Sequence, residues 1–140
     1  MDCELCHGAG GTLLWQNETC RVVAVDEPGL PGFLRVVLNR HVREMTDLPA
    51  DERSRLMEVV LAVEAHVRQS LEPDKMNLAS LGNLTPHLHW HVIPRWRDDR
   101  HFPGSVWSPA SHAAPVPPAR ASAAARMATA LSAALAPFGA

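Results

Sequence analysis

Apolar positions change rhythm along this chain, and each change marks an element. "CRVVAVDE" (20–27) is a valine-rich run closed by Pro28 and Gly29, which predicts a strand. After the turn "PGLPG" (28–32), "FLRVVLNRH" (33–41) predicts a second strand, and so short a connection makes the two antiparallel neighbours. The period then lengthens. In "DLPADERSRLMEVVLAVEAHVRQSLEP" (47–73), Leu56, Val60, Val63, Val67 and Leu71 recur at three- and four-residue steps, one apolar stripe on a helix. Pro49 suits the first turn, Asp51 and Glu52 complement the dipole there, and Pro73 marks the stop. "MNLASLGN" (76–83) predicts another strand, interrupted at Gly82, and "HLHWHVIPRW" (87–96) one more. Beyond 98 the chain turns to Asp, Pro, Gly, Ser and Ala. "PVPP" (115–118) reads as a linker, and "ARASAAARMATALSAALA" (119–136) has strong helical propensity. This order predicts an α+β domain with a largely antiparallel sheet.

Composition narrows the class. A chain of 140 residues with 46% hydrophobic and 20% charged residues has the balance of one globular domain rather than a disordered segment. A net charge of −2 gives no broad attraction to nucleic acid or an anionic membrane, so neither is expected as a partner. No run approaches the roughly 20 apolar residues of a spanning helix. The opening "MDCELCHGAGG" lacks the basic and apolar regions of a secretory signal. With three cysteines, an odd number, reduced thiols in a cytoplasmic protein are the expectation.

The chemistry concentrates in "PHLHWHVIPR" (86–95). On a strand, His87, His89 and His91 share one face at about 7 Å intervals, while Leu88, Trp90 and Val92 point into the core. Packing does not ask for three imidazoles in register. They either chelate a metal, since imidazoles at i and i+2 can share one zinc ion, or supply a nucleophile whose neighbours orient it, bind an anion or move protons. A neutral imidazole is a competent nucleophile at pH 7, because its ordinary pKa is about 6.5. Spacing alone leaves both readings open.

The run His87-Leu88-His89-Trp90-His91-Val92-Ile93 resembles the signature of the histidine triad (HIT) nucleotide hydrolases and transferases. The likeness extends over residues 3–107 and includes the strand pair, the long helix and "NLASLGNLTP" before the triad. It implies a HIT-like fold: a five-stranded antiparallel sheet with a packed helix, followed here by an alanine-rich C-terminal helix. Residues 1–107 would form the HIT domain and 108–140 a Pro/Ala-rich extension. It also implies a homodimer and cleavage at the α-phosphate of a purine nucleotide derivative, a nucleoside phosphoramidate or a dinucleoside polyphosphate. His89 matches the nucleophile that becomes nucleotidylated, and no metal is required for that step. His91 matches the residue that contacts the phosphate or the leaving group. Asp26 matches the group that binds the ribose hydroxyls, and Asn77 and Asn83 match amide positions near the phosphate. For both asparagines, turn chemistry at a strand end is the competing account.

Two departures bear on substrate preference. Phe33 stands where many relatives have a histidine, and Leu84 where many have serine or threonine. They favour an alternative in which the chain binds nucleotide without turning it over, as a scaffold. A further alternative is a hydrolase with zinc on all three triad histidines.

Cys3-x-x-Cys6 supplies half of a tetrahedral zinc site. Some bacterial triad proteins resemble this chain in completing it with two histidines, here His41 and His87, which implies a structural Cys2His2 site that ties the N-terminus to the sheet. His7 competes for the third position. Cys20 reads as a small core residue. Arg95, Arg97 and Arg100 could reach a phosphate chain, although a solvated strand end is the simpler account. Trp107 reads equally as part of a base pocket, of a dimer surface or of the core. His66 and His112 receive no role.

Overall fold

The computed structural model describes residues 3–139. A short helix α1 (Glu4–His7) leads into β1 (Thr12–Gln16), β2 (Cys20–Ala24) and β3 (Leu34–Leu38). The long helix α2 (Ala50–Leu71) follows, then β4 (Lys75–Ala79), β5 (His89–Arg95) and α3 (Pro118–Ala134). Single 3-10 turns stand at Met45–Asp47 and Ala136–Phe138. All strand pairs are antiparallel in the order β1-β2-β3-β5-β4, so α2 carries the chain to the far edge and β5 returns to the middle.

The sheet's two faces differ in chemistry, as period-2 alternation dictates. One face presents Val22, Leu34, Val36, Leu38, Leu88 and Val92 to α2 and α3. There α2 buries Leu56, Val59, Val60, Val63 and Val67, the stripe read from sequence with Val59 added and its last member, Leu71, only half-buried. Each such side chain contributes about 2 kcal/mol by leaving water. The helix begins after Pro49, carries Asp51 and Glu52 in its first turn, and ends in a left-handed residue, Glu72 (φ 47°), just before Pro73. Met127 and Leu131 of α3, with Leu135 after it, join the same core, so the segment beyond residue 107 packs on the domain. Cys20 is fully buried there, as expected.

β1 is the strand that periodicity did not reveal. A register shift sets Leu13 and Trp15, two positions apart, against the consecutive partners Val23 and Val22, and the bulge at Leu14 removes the alternation that would have signalled a strand. Trp15 is nonetheless buried, and its indole N–H donates to the Gly139 carbonyl at 3.0 Å.

The opposite face carries the polar chemistry. Cross-strand pairs Arg21–Val37, Val37–His89, Arg35–His91 and Ala79–His91 place these side chains together at the centre of the sheet.

Candidate functional site

His89 and His91 lie in β5, inside the sheet between β3 and β4, while His87 precedes the strand in backbone that still bonds to Leu38 and Val42 through Leu88. All three are buried. Their surroundings make them chemically different.

His87 is directed by its Nε2, 2.6 Å from the Leu38 carbonyl. A carbonyl only accepts, so Nε2 carries the proton and Nδ1 keeps its lone pair. That lone pair faces Cys3 Sγ at 3.4 Å, Cys6 Sγ at 3.4 Å and His41 Nδ1 at 3.3 Å, and Cys6 Sγ is 3.3 Å from His41 Nδ1. The four donor atoms lie within 4.8 Å of one another and form the only such cluster among the described residues. A tetrahedron with zinc–nitrogen bonds of about 2.0 Å and zinc–sulfur bonds of about 2.3 Å has edges of about 3.3–3.8 Å. The cluster therefore fits a zinc ion by donor type, by tautomer and by spacing. His7, exposed on α1, is not part of it. With Nδ1 of His87 turned to the cysteines, the triad does not converge on one shared ion.

His89 is fixed at its other nitrogen. Nδ1 lies 2.5 Å from the carbonyl of His87, so Nδ1 is the protonated nitrogen and Nε2 bears the free lone pair. Burial lowers its pKa, the His87 bond opposes this, and the Arg35 charge lowers it again, so the ring is neutral at pH 7. A neutral imidazole with its tautomer set by the backbone is the form a nucleophile requires.

His91 is boxed by rings: His89 at 4.9 Å between centroids, Trp107 at 4.8 Å and Phe33 edge-on at 5.6 Å. Burial first, then repulsion from His89 once that ring is protonated and from the Arg35 charge, push its pKa down to about 3. Its Nδ1 is buried with no hydrogen-bond partner.

Trp107 is 50% exposed, so it is neither a core residue nor a free surface one; it forms a wall of the site. A buried ion pair holds its loop. Asp99 accepts from Arg95 Nε at 2.8 Å and NH2 at 3.0 Å, and from the backbone N–H groups of Trp96, His101 and Phe102. Burial alone would raise the Asp99 pKa, but these five bonds outweigh it and hold the carboxyl at about 2. Arg95 also donates to the Gly104 carbonyl at 2.8 Å, and His101 Nδ1 lies 2.9 Å from the Ser108 carbonyl, closing the loop under Trp107. Arg95 is thus no solvated strand end: it is 2% exposed. Arg97 is exposed, as that reading required, and Arg100 lies alongside Gly29.

The remaining candidates sit at the margins. Asn77 shares the triad's face, but its side-chain oxygen accepts from Arg95 NH1 at 2.9 Å, leaving only its amide N–H groups for a ligand. Asp26 is exposed in the loop after β2, and Asn83 is exposed in the turn before the triad. Leu84 is 95% exposed. His66 bonds the Met127 carbonyl and links α2 to α3. The residue that sequence reasoning passed over is Arg35; its one signal was a charge in the middle of the apolar run "FLRVVL".

Comparison with known proteins agrees with this geometry. The family model described as "HIT domain" matches residues 9–98, well over half of the chain, and the chain belongs to that family. Over 81 residues it is 35% identical to the AP-4-A phosphorylase of Mycobacterium tuberculosis, covering 54% of this chain and 42% of that protein. The chain thus spans less than half the length of that relative. An uncharacterized HIT-like protein of Saccharolobus solfataricus is 28% identical over 105 residues, 69% of this chain and 74% of its own length. Among solved structures, a histidine triad protein from Bradyrhizobium japonicum has a TM-score of 0.69 at 27% identity, covering 85% of this chain and 91% of that one. One from Marinobacter aquaeolei has a TM-score of 0.69 at 29% identity, covering 96% and 92%.

Proposed function

We propose that the chain is a nucleotide hydrolase or transferase acting at the α-phosphate of a purine nucleotide derivative, with a dinucleoside polyphosphate or a nucleoside phosphoramidate as substrate. The observation that carries this reading is the bond from His89 Nδ1 to the His87 carbonyl, which leaves Nε2 unprotonated in a ring that stays neutral at pH 7. Similarity to an AP-4-A phosphorylase supports the polyphosphate class.

In the proposed reaction the Nε2 lone pair of His89 attacks the α-phosphorus in line. The Nε2–P bond forms as the bond to the leaving oxygen or nitrogen breaks, and the leaving group departs with that electron pair and takes up a proton. Water, giving up a proton to solvent as it adds, or inorganic phosphate in a transferase, then attacks the same phosphorus. The Nε2–P bond breaks and the lone pair returns to the ring. Two displacements replace one difficult step. His91 contacts the phosphoryl or leaving-group oxygen, Asp26 accepts from the ribose hydroxyls, and the amides of Asn77 and Asn83 donate to phosphate.

Cys3, Cys6, His41 and His87 would hold a zinc ion, which would supply cross-linking rather than chemistry, since His89 presents its lone pair through its own bond to the His87 carbonyl. Its effect on the site is indirect. A bound ion would steady His87, whose carbonyl holds His89 Nδ1. The homodimer belongs to the same proposal and is read by light scattering. The test of function is release of nucleoside monophosphate from diadenosine tetraphosphate and from adenosine phosphoramidate, comparing wild type with His89→Gly. A loss of about four orders of magnitude in the variant is expected. Equal background rates for both proteins on both compounds contradict the proposal and favour a non-catalytic nucleotide-binding scaffold.

A further inference from the structure

The histidines of this site bring it no positive charge. Burial keeps His91 neutral, and His89 has its proton committed to the His87 carbonyl. A phosphate-bearing substrate nonetheless carries negative charge that spreads over its equatorial oxygens during transfer. Three arginines rise from this face of the sheet, and two are committed elsewhere. Arg21 donates to the carbonyls of Leu5, Gly8 and Ala9, and Arg95 to Asp99, Asn77 and Gly104.

The third is Arg35. It stands in β3 directly across from His91, so the two side chains project side by side from adjacent strands about 5 Å apart. One terminal nitrogen, NH1, donates to the Gly10 carbonyl at 3.0 Å, which steadies the guanidinium. Its Nε is buried without a partner, as is Nδ1 of its neighbour His91. Buried polar groups left unpaired cost stability, and two at one register position mark a place where a ligand supplies the missing bonds. Glu27 and Glu4 are the acids that face this guanidinium and favour its charged form, against burial. Packing does not account for the residue, because its strand neighbours Leu34, Val36 and Val37 show what burial alone selects here.

We propose that Arg35 is the anion anchor of the site, its guanidinium beside His91 taking the phosphate oxygens of the substrate and so selecting phosphate-bearing nucleotides over nucleosides. This rests on the nucleotide reading above and adds to it the group that recognises charge. Arginine suits the task because its fork offers parallel N–H donors to one phosphate.

The test is calorimetric titration of the zinc-loaded, full-length protein with AMP and with adenosine. Arg35→Met is expected to weaken AMP binding about 10- to 100-fold, the value of a charge-assisted bond, and to leave adenosine binding unchanged. Arg35→Lys, which keeps the charge but loses the fork, falls between. AMP affinity in the Met variant within about twofold of wild type would overturn the proposal, that being below one charge-assisted bond. Equal weakening of AMP and adenosine would also overturn it, leaving Arg35 only the task of holding Gly10. Where Arg35→Met does not fold, the AMP-to-adenosine preference of Arg35→Lys decides: a fall supports the anchor and an unchanged preference overturns it. Wild type that binds neither compound fails the nucleotide reading itself, a result distinct from any arising in the variants.

Discussion

At the N-terminal end of β5, His87 meets Cys3, Cys6 and His41 with donor atoms 3.3–3.4 Å apart; at the C-terminal end, Arg95 meets Asp99 across 2.8 Å in full burial. Both arrangements tie a distant segment to the strand that carries His89 and His91. The first ties down the N-terminus and the second the loop of Trp107. They differ in what they need. Two thiols and two imidazoles with their donor atoms brought together form a set that a metal ion from outside could complete, whereas an arginine and an aspartate complete each other. One strand is thus fastened at both ends, and with zinc bound at the first the two fastenings would differ in what undoes them, a chelator at one end and acid at the other.

That difference can be broken at either end. Removing zinc, by chelation or by Cys6→Ser, is expected to have the largest effect, a loss of several kcal/mol, because metal binding of this kind is folding free energy. It is read as a fall in melting temperature that tracks zinc content. Chelation should leave the Arg95–Asp99 end intact, and an unchanged melting temperature on full zinc removal would break the comparison.

Next in size is Asp99→Asn, expected to cost about 3 kcal/mol at pH 7 by leaving Arg95 buried and uncompensated. Its pH dependence has a definite sign. The folded carboxyl titrates at about 2, below its ordinary value of 3.8. Its contribution is therefore fully present above pH 3.8 and is lost as pH falls toward 2. Urea midpoints of wild type and variant should keep a constant gap from pH 7 to about pH 4 and converge below it.

The smallest effect concerns the wall that the second fastening holds. Trp107→Ala opens His91 to water, and because burial is the leading cause of its depressed pKa, that pKa should rise from about 3 toward the ordinary imidazole range. Imidazole NMR titration reads this directly, with stability little changed because Trp107 is half exposed.

Much of this was legible in sequence for physical reasons. A helix of regular period, strands rich in β-branched residues and three histidines at period 2 each leave a pattern that one line of text preserves. Cys3, Cys6, His41 and His87 were assembled through family likeness, since no spacing rule brings residues 84 positions apart into contact. What escaped had no period to show. The bulge in β1 cancels alternation. The burial of Arg95 depends on a turn that brings Asp99 back onto it, and Arg35 gains meaning only from its partner across the ladder, His91.

The central claim is that Nε2 of His89 is the attacking atom. Its most direct test is intact-protein and peptide mass spectrometry of the zinc-loaded protein, quenched under mildly alkaline conditions during turnover of diadenosine tetraphosphate. The account predicts a nucleotidyl group on His89, absent in His89→Gly. Turnover that proceeds with no adduct on His89, or with the adduct on another residue, would contradict it.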